Sequence, residues 1–188
     1  MTKFPPLIVS LCAFALMASA CTTSPAPAPG EQAVTVVNRL HWTNPVDGKR
    51  DGSRTAWPLH TLATSHTERF PLAQVKECRN GACSWGVVKA VRTISKAQGD
   101  PSGVTLALDV AVRVARRQQA DTGGEQGAMA IPSDVEALQS ERTVQQQVRL
   151  EYGKVTRFAF EHGIAYDLCA QRIDAAGKPL EACPVAFD

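Results

Sequence analysis

The sequence predicts a mainly β fold, either an antiparallel sandwich or a partly closed barrel of about eight strands, with room for one short helix. Val and Leu alternate with small or polar residues from 104 to 115, a period of two that is typical of a strand with one buried face. Residues 85–95 are rich in Val, Ile and Thr, which favour strands. Asn80-Gly81 is the strongest short-range signal for a hairpin.

The composition narrows the class of protein. The chain has 188 residues, of which 44% are hydrophobic and 20% are charged, and its formal net charge is +2. This size suits one domain with an appendage. The apolar fraction excludes a wholly disordered chain, and the apolar runs are too few for a polytopic membrane protein. The near-zero charge argues against nucleic acid as a partner, because proteins that bind it usually carry a strongly basic face.

The first 20 residues have the three-part pattern of a secretory signal peptide. Lys3 supplies a positive start, Leu7 to Met17 form an apolar run interrupted only by Ser10, and residues 18–20 are small. The apolar run is too short to span a bilayer as a helix, which needs about 20 residues. We therefore expect residues 1–20 to be removed on export.

Ala18-Ser19-Ala20-Cys21 resembles the lipobox of bacterial lipoproteins, although Ala18 stands where that family usually has Leu. The resemblance implies that a diacylglycerol is attached to the Cys21 sulfur, that the signal is cut just before it, and that the new amine is acylated, with palmitate as the acyl group. Thr22 in place of Asp implies an outer-membrane lipoprotein that faces the periplasm, with surface exposure left open. Ordinary cleavage after Ala20, which would leave Cys21 as a free thiol, is the alternative.

A tether and a β domain follow the predicted anchor. Residues 21–32 are rich in Pro and Ala after Cys21, which favours an extended polyproline II conformation. At about 3.1 Å per residue, this passive spacer would hold the domain some 30 Å from the membrane. We expect residues 33–188 to form a β domain that is stapled by disulfides.

Four cysteines in the predicted domain, Cys78, Cys83, Cys169 and Cys183, indicate two disulfides in an exported chain. If Asn80-Gly81 is a two-residue loop, Cys78 faces Cys83 directly in a non-hydrogen-bonded pair. Cys169 and Cys183 flank a turn candidate at 174–178 and would also face each other. The spacings fit neither a zinc site nor a Cys-x-x-Cys redox motif.

The remaining strands are assigned from turn signals. Residues 85–95 and 104–115 are predicted to form a long hairpin around the turn cluster at 99–103, and residues 33–42 form another strand. Residues 43–71 are expected to be irregular or to form short edge strands.

Two further regions are less regular. Residues 117–132 contain Gly123-Gly124 and Gly127 and are expected to be a mobile loop. The capping-box pattern at 133–136 predicts either a short helix over 134–141 or a turn that leads straight into the next strand.

The C-terminal half is predicted to contain a meander of three strands over residues 143–172. Three-residue loops at 151–153 and 161–163 would place their glycines at a left-handed position. This register gathers one set of side chains on one face. The set is Val148, Thr156, Phe158, Phe160, Ile164, Tyr166 and Leu168.

The sequence contains no recognisable catalytic, cofactor-binding or metal-binding motif. Its four histidines, at positions 41, 60, 66 and 162, fall in no metal motif, and neither a Gly-x-Ser-x-Gly elbow nor a phosphate-binding loop is present. We therefore expect a non-catalytic lipoprotein of the cell envelope. Its β domain would bind or support another envelope component, most directly a protein, while the lipid anchor binds the membrane.

Two alternative functions stay open. The first is a periplasmic inhibitor or immunity protein against a hydrolase, which would use the rigid hairpin at 78–83 to plug an active site. The second is a hydrolase whose Ser, His and Asp residues assemble only in space.

Overall fold

A computed structural model of the chain describes residues 33–120 and 127–184. Residues 1–32, 121–126 and 185–188 lie outside the described part. The signal peptide, the lipidation of Cys21 and the tether therefore stay predictions, as does the central part of the loop expected at 117–132.

The described residues form eleven strands and one short helix. The elements are β1 (Ala33–Thr43), β2 (Arg50–Pro58), α1 (Leu59–Ala63), β3 (Ser65–Arg69), β4 (Ala73–Arg79), β5 (Ala82–Asp100), β6 (Gly103–Ala115), β7 (Arg117–Gln119), β8 (Ala128–Ala130), β9 (Ser140–Glu151), β10 (Thr156–Ala159) and β11 (Ala165–Ile173). The number exceeds the expected eight because the region expected to be irregular or to form short edge strands supplies the edge strands β2 and β3, and the expected loop supplies β7 and β8.

The strands form an antiparallel sandwich, as the sequence predicts. The first sheet has the order β10-β11-β1-β2, and the second has the order β3-β5-β6-β9, with β4 also paired to β5. Within the described residues no ladder joins the two main sheets. Only a single bridge, between Tyr152 and Ala170, connects their ends.

The core lies between the two sheets and follows the predicted alternation. On β6 the side chains at even positions from Val104 to Val114 are all at most 3% exposed. They face apolar side chains of the first sheet, including Leu40, Tyr166 and Leu168. Helix α1 carries the chain from the first sheet to the second, and its Leu62 is fully buried in the same core. No helix in the described ranges is long and apolar enough to cross a membrane.

The long hairpin of β5 and β6 is confirmed. Asp100 pairs with Gly103, so that Pro101 and Ser102 form a two-residue loop within the predicted turn cluster. The ladder runs on to Val87 and Ala115, with one register shift between Ser95 and Gln98. Such an irregularity lets a very long strand twist without losing its buried face.

The predicted three-stranded meander is only half right. The β10–β11 hairpin has the expected register, with Phe158 opposite Tyr166 and a three-residue loop at 161–163. β9 does not pair with β10, however, and instead pairs with β6 over its whole length in the other sheet. Gly153 has the expected positive φ of 74°, but it turns the chain from one sheet to the other. β6 has thirteen residues, and the backbone groups along its second edge need a partner strand of similar length. The twelve-residue β9 can pair along that edge, whereas the four-residue β10 could cover only part of it.

Of the two predictions for residues 134–141, the turn is the one that forms. The chain turns at 133–135 and enters β9 at Ser140. The guanidinium of Arg116 donates hydrogen bonds to the carbonyls of Pro132 and Val135, and the Val135 carbonyl is one that a helix over 134–141 would have used. The short helix of the fold lies instead at 59–63.

Candidate binding site at the open end of the sandwich

The β4–β5 hairpin projects from one end of the second sheet and carries an exposed disulfide. Asn80 and Gly81 both have positive φ, 51° and 82°, as a two-residue loop of this type requires. Cys78 therefore pairs directly with Cys83, with their Cα atoms 4.0 Å apart, and a disulfide joins them as the sequence predicts. We call residues 78–83 the stapled hairpin.

The second disulfide joins the other predicted pair, Cys169 and Cys183. Asp174 organises the intervening turn, because its carboxylate accepts hydrogen bonds from the backbone N–H groups of Ala176 and Lys178. Cys169 is fully buried and packs against Val37 on the outer face of the first sheet. This disulfide fixes the C-terminal segment to the sheet, whereas the stapled hairpin stands in solvent.

The inner face of the hairpin becomes polar beyond the end of the core. Ala73 and Val75 are buried, but the next two side chains on this face of β4 are Glu77 and Arg79. Ala82 and Ser84 lie opposite them on β5. These four side chains form the floor of a groove of about 540 Å³ at the open end of the sandwich.

One wall of the groove is the segment 136–139. Trp85 donates its backbone N–H to the carbonyl of Glu136, at 2.9 Å, and accepts from the N–H of Leu138, at 2.8 Å. Gly86 allows this close approach, because a Cβ there would lie 2.4 Å from Val114 Cγ1 and 3.1 Å from Leu138 Cβ. The wall thus adds a short parallel strand segment to β5, past the end of β6.

The opposite wall is His162, from the β10–β11 loop of the first sheet. Its Nδ1 lies 3.1 Å from Oε1 of Glu77, so this contact connects the two sheets at the groove. His162 adopts a left-handed conformation with φ of 60°, which is uncommon for a residue with a side chain. The sequence predicts His162 only as a loop residue, and its contact with Glu77 could not be found without the register of both hairpins.

The charges of the groove are mixed, with a carboxylate excess. Glu77 is partly exposed and lies 3.6 Å from the guanidinium of Arg79, whose side chain is 86% exposed. Glu136 adds a second, exposed carboxylate. Neutral polar side chains, Ser84 and Gln139, complete the lining.

The groove thus gathers a serine, a histidine and two glutamates. Catalysis by a serine nucleophile requires a hydrogen bond from its hydroxyl to the histidine base. Among the described residues no hydrogen bond joins Ser84 to His162, and the 3.1 Å contact between His162 Nδ1 and Glu77 Oε1 lacks the geometry of a hydrogen bond. No cluster of three His, Cys, Asp or Glu residues in this part of the chain is placed to hold a metal ion. The arrangement is suited to contacting a polar surface.

The other histidines serve the fold or face solvent. His60 is exposed on α1, whereas His66 packs against Trp57 with ring centroids 4.0 Å apart. His41 is buried on the outer face of the first sheet, where its Nε2 lies 3.1 Å from Oδ2 of Asp167. Arg157 donates two further hydrogen bonds to the same carboxylate, at 2.7 and 2.8 Å.

The environment of Asp167 shifts its titration. Burial alone would raise the pKa of this carboxyl, but the hydrogen bonds from Arg157 and His41 outweigh burial and hold the pKa well below its usual range. The carboxylate therefore stays charged. Through Arg157 on β10 and His41 on β1, it connects β11 to both neighbouring strands on the outer face of the first sheet.

An ion pair that no sequence motif indicates lies inside the core. Arg92 is fully buried between the sheets and pairs with Glu68, its cross-strand neighbour on β3. Glu68 also accepts a hydrogen bond from the hydroxyl of Thr55, which contacts the fully buried Asn38 at 3.1 Å. The only sequence signal is that Arg92 occupies an inward position in an otherwise apolar alternation.

Comparison of the chain with protein-family models, with curated proteins and with solved structures finds no match. Its function therefore has to be inferred from its own residues.

Proposed function

We propose that the protein is a non-catalytic lipoprotein of the cell envelope, whose β domain binds an envelope protein through the stapled hairpin and the groove at its base. The observation that carries this proposal is the exposed two-residue hairpin whose ends are joined by a disulfide, which restricts the conformations of the loop. A preorganised loop loses little conformational entropy on binding.

The groove supports the same conclusion. It offers a partner polar and charged side chains from three separate segments, held in place by backbone hydrogen bonds and by the His162–Glu77 contact. Polar surfaces that are fixed in this way give specificity, because a wrong partner would leave their charges unpaired.

The anchor is proposed from the sequence alone. Cys21 would carry the lipid, and residues 22–32 would hold the domain away from the membrane. Metabolic labelling with a fatty-acid probe should label the wild-type chain and leave Cys21→Ala unlabelled. Equal labelling of both chains would refute the lipoprotein assignment.

Photo-crosslinking in intact cells tests the binding surface. A photoreactive amino acid at Arg79, on the stapled hairpin, should give a discrete adduct with one envelope protein. Ala176 provides the matched control, because it is also exposed in a turn beside a disulfide. The adduct from Arg79 should weaken when the groove charge is reversed by Glu136→Lys. Equal adducts from both positions, or none from Arg79, would contradict the proposal.

The inhibitor alternative uses the same hairpin, but it also requires the partner to be an enzyme that the protein inhibits. The captured protein would be a wall-cleaving hydrolase, and the purified full-length chain would inhibit it in a turnover assay. The hydrolase alternative has the His162–Glu77 contact beside Ser84 in its favour. It requires an activity that Ser84→Ala abolishes without changing the fold.

A further inference from the structure

The free edges of the two sheets are not equally protected against pairing with another chain. Edge strands usually carry charges, prolines or irregularities, or are very short. In the described residues β10 has only four residues, β3 has five and β4 has seven. β2 is longer but contains two arginines, Asp51, Gly52 and a terminal proline.

β9 is the exception among these edges. It has twelve residues and, in the part of the chain that the structure describes, pairs with no strand other than β6. Its central stretch, residues 143–148, reads Thr-Val-Gln-Gln-Gln-Val and contains no charge, glycine or proline. Thr143, Gln145 and Gln147 are all exposed on the outer face of the second sheet.

The register shows which backbone groups of β9 are free. Asp100 and Gly103 close a two-residue loop and are therefore a hydrogen-bonded pair, so odd-numbered residues of β6 point their N–H and C=O groups toward β5. Even-numbered residues of β6 point toward β9 and pair with even-numbered residues there. The odd-numbered residues of β9 consequently direct their N–H and C=O groups outward.

We propose that β9 is a homodimerisation edge, on which β9 of a second copy of this chain pairs antiparallel about a twofold axis at Gln145. In this register Gln145 faces Gln145 of the second copy, and Thr143 faces Gln147. Odd-numbered residues face odd-numbered residues in this register, so their outward N–H and C=O groups meet. The five odd-numbered pairs between 141 and 149 can form about ten backbone hydrogen bonds across the edge.

Charge complementarity selects this register. It places Glu141 of each copy opposite Arg149 of the other, on the same exposed face. Within one chain Glu141 lies 3.8 Å from Arg113 and Arg149 pairs with Asp100, so the facing charges would join these two ion pairs into one network of alternating sign. Moving the axis by one residue in one direction would place Glu141 opposite Glu151, and in the other direction opposite the neutral Gln147. Two facing opposite charges favour the proposed register and like charges oppose the first alternative.

The assembly closes at two copies. Twofold pairing uses the same edge on both chains, so that no second β9 edge is left to extend the sheet. The far edge of the second sheet consists of the short strands β3 and β4.

Short-span crosslinking of full-length chains in envelopes tests the proposal. The four cysteines of the described domain are paired, so Gln145→Cys introduces a thiol that a short bismaleimide can join to the same residue of the second copy. Ala56→Cys is the matched control, since it is exposed on the edge strand of the other sheet. We expect a covalent dimer from Gln145→Cys and none from Ala56→Cys. No dimer from Gln145→Cys, or equal dimer from both, would overturn the proposal.

A second set of variants tests the register. Thr143→Cys and Gln147→Cys should each crosslink poorly alone and efficiently when the two chains are coexpressed, because these positions face each other only between different variants. Glu141→Arg, which faces Arg149 with a like charge, should weaken dimerisation by about tenfold. The control Asp51→Arg, exposed on β2 at the far edge of the other sheet, should leave it unchanged. Efficient crosslinking of either single variant alone, or no effect of Glu141→Arg, would refute this register.

Discussion

The buried ion pair between Glu68 and Arg92 gives the sharpest stability prediction. Arg92 is fully enclosed, whereas the side chain of Glu68 is 15% exposed. Glu68→Leu leaves the guanidinium charge buried without its counter-ion, which should cost about 3–5 kcal/mol. Arg92→Met leaves a carboxylate that can still reach water, so we expect a smaller loss of about 1–3 kcal/mol.

The double variant should recover most of this loss. Replacing both partners removes the uncompensated charge and adds apolar contacts in the core, so its free energy of unfolding should lie within about 1 kcal/mol of the wild-type value. Without Glu68, the single hydroxyl proton of Thr55 can be donated to Oδ1 of Asn38, 3.1 Å away, so the hydroxyl stays satisfied. The two single losses are therefore predicted to be strongly non-additive.

Urea denaturation followed by far-UV circular dichroism measures all four free energies. The midpoint should move while the slope stays constant, since the surface exposed on unfolding is unchanged. In thermal melts Glu68→Leu should lower Tm by roughly 6–20 °C at about 2–4 °C per kcal/mol. If the double variant lost the sum of the two single losses, the account of a coupled buried pair would be wrong.

Three other changes have definite expected outcomes. Gly86→Ala should cost about 1–3 kcal/mol in a urea titration, because its Cβ would overlap Val114 Cγ1; an unchanged midpoint would contradict the packing described. Removing the Cys169–Cys183 disulfide should lower the free energy of unfolding by about 3 kcal/mol, and removing Cys78–Cys83 by about 2 kcal/mol. The first loss is larger because its cysteines are 14 residues apart in the chain, against 5 for the second pair. The reverse order would refute this reasoning. Asp167 has a lowered pKa in the folded state, so its stabilisation is complete above the unfolded pKa of about 3.9 and is lost as pH falls toward the folded value. The free energy of unfolding of Asp167→Asn, measured as a function of pH, should therefore fall less steeply below about pH 4 than that of the wild type. An unchanged fall would contradict the lowered pKa of Asp167.

Local signals in the sequence account for much of the fold. Alternation in β6 and the Asn80-Gly81 turn predict a long hairpin and a stapled one, because each depends only on residues close in the chain. The pairing of β9 could not be predicted in the same way. Gly153 favours a positive φ equally in a hairpin and in a crossover between sheets, and only the partner requirement of β6 decides between them.

The sequence predicts the candidate site only in part. The disulfide pairs follow from turn chemistry, but the groove needs three segments brought together over long sequence separations. His162 and Glu77 are 85 residues apart in the chain, since 162 − 77 is 85, and neither lies in a recognisable motif. The alternation in β5 places Arg92 on the inward face, but only the neighbouring residues on β3 and β2 show which groups surround its charge.

The surface proposed to bind a partner is the stapled hairpin together with the groove at its base. Hydrogen–deuterium exchange of the full-length chain, alone and with the protein captured from Arg79, tests this proposal most directly. We expect slowed exchange in residues 77–85 and 136–139 on binding, with exchange in the turn at 174–178 unchanged. Slowed exchange at that turn or elsewhere, with the hairpin and the groove wall unaffected, would contradict it.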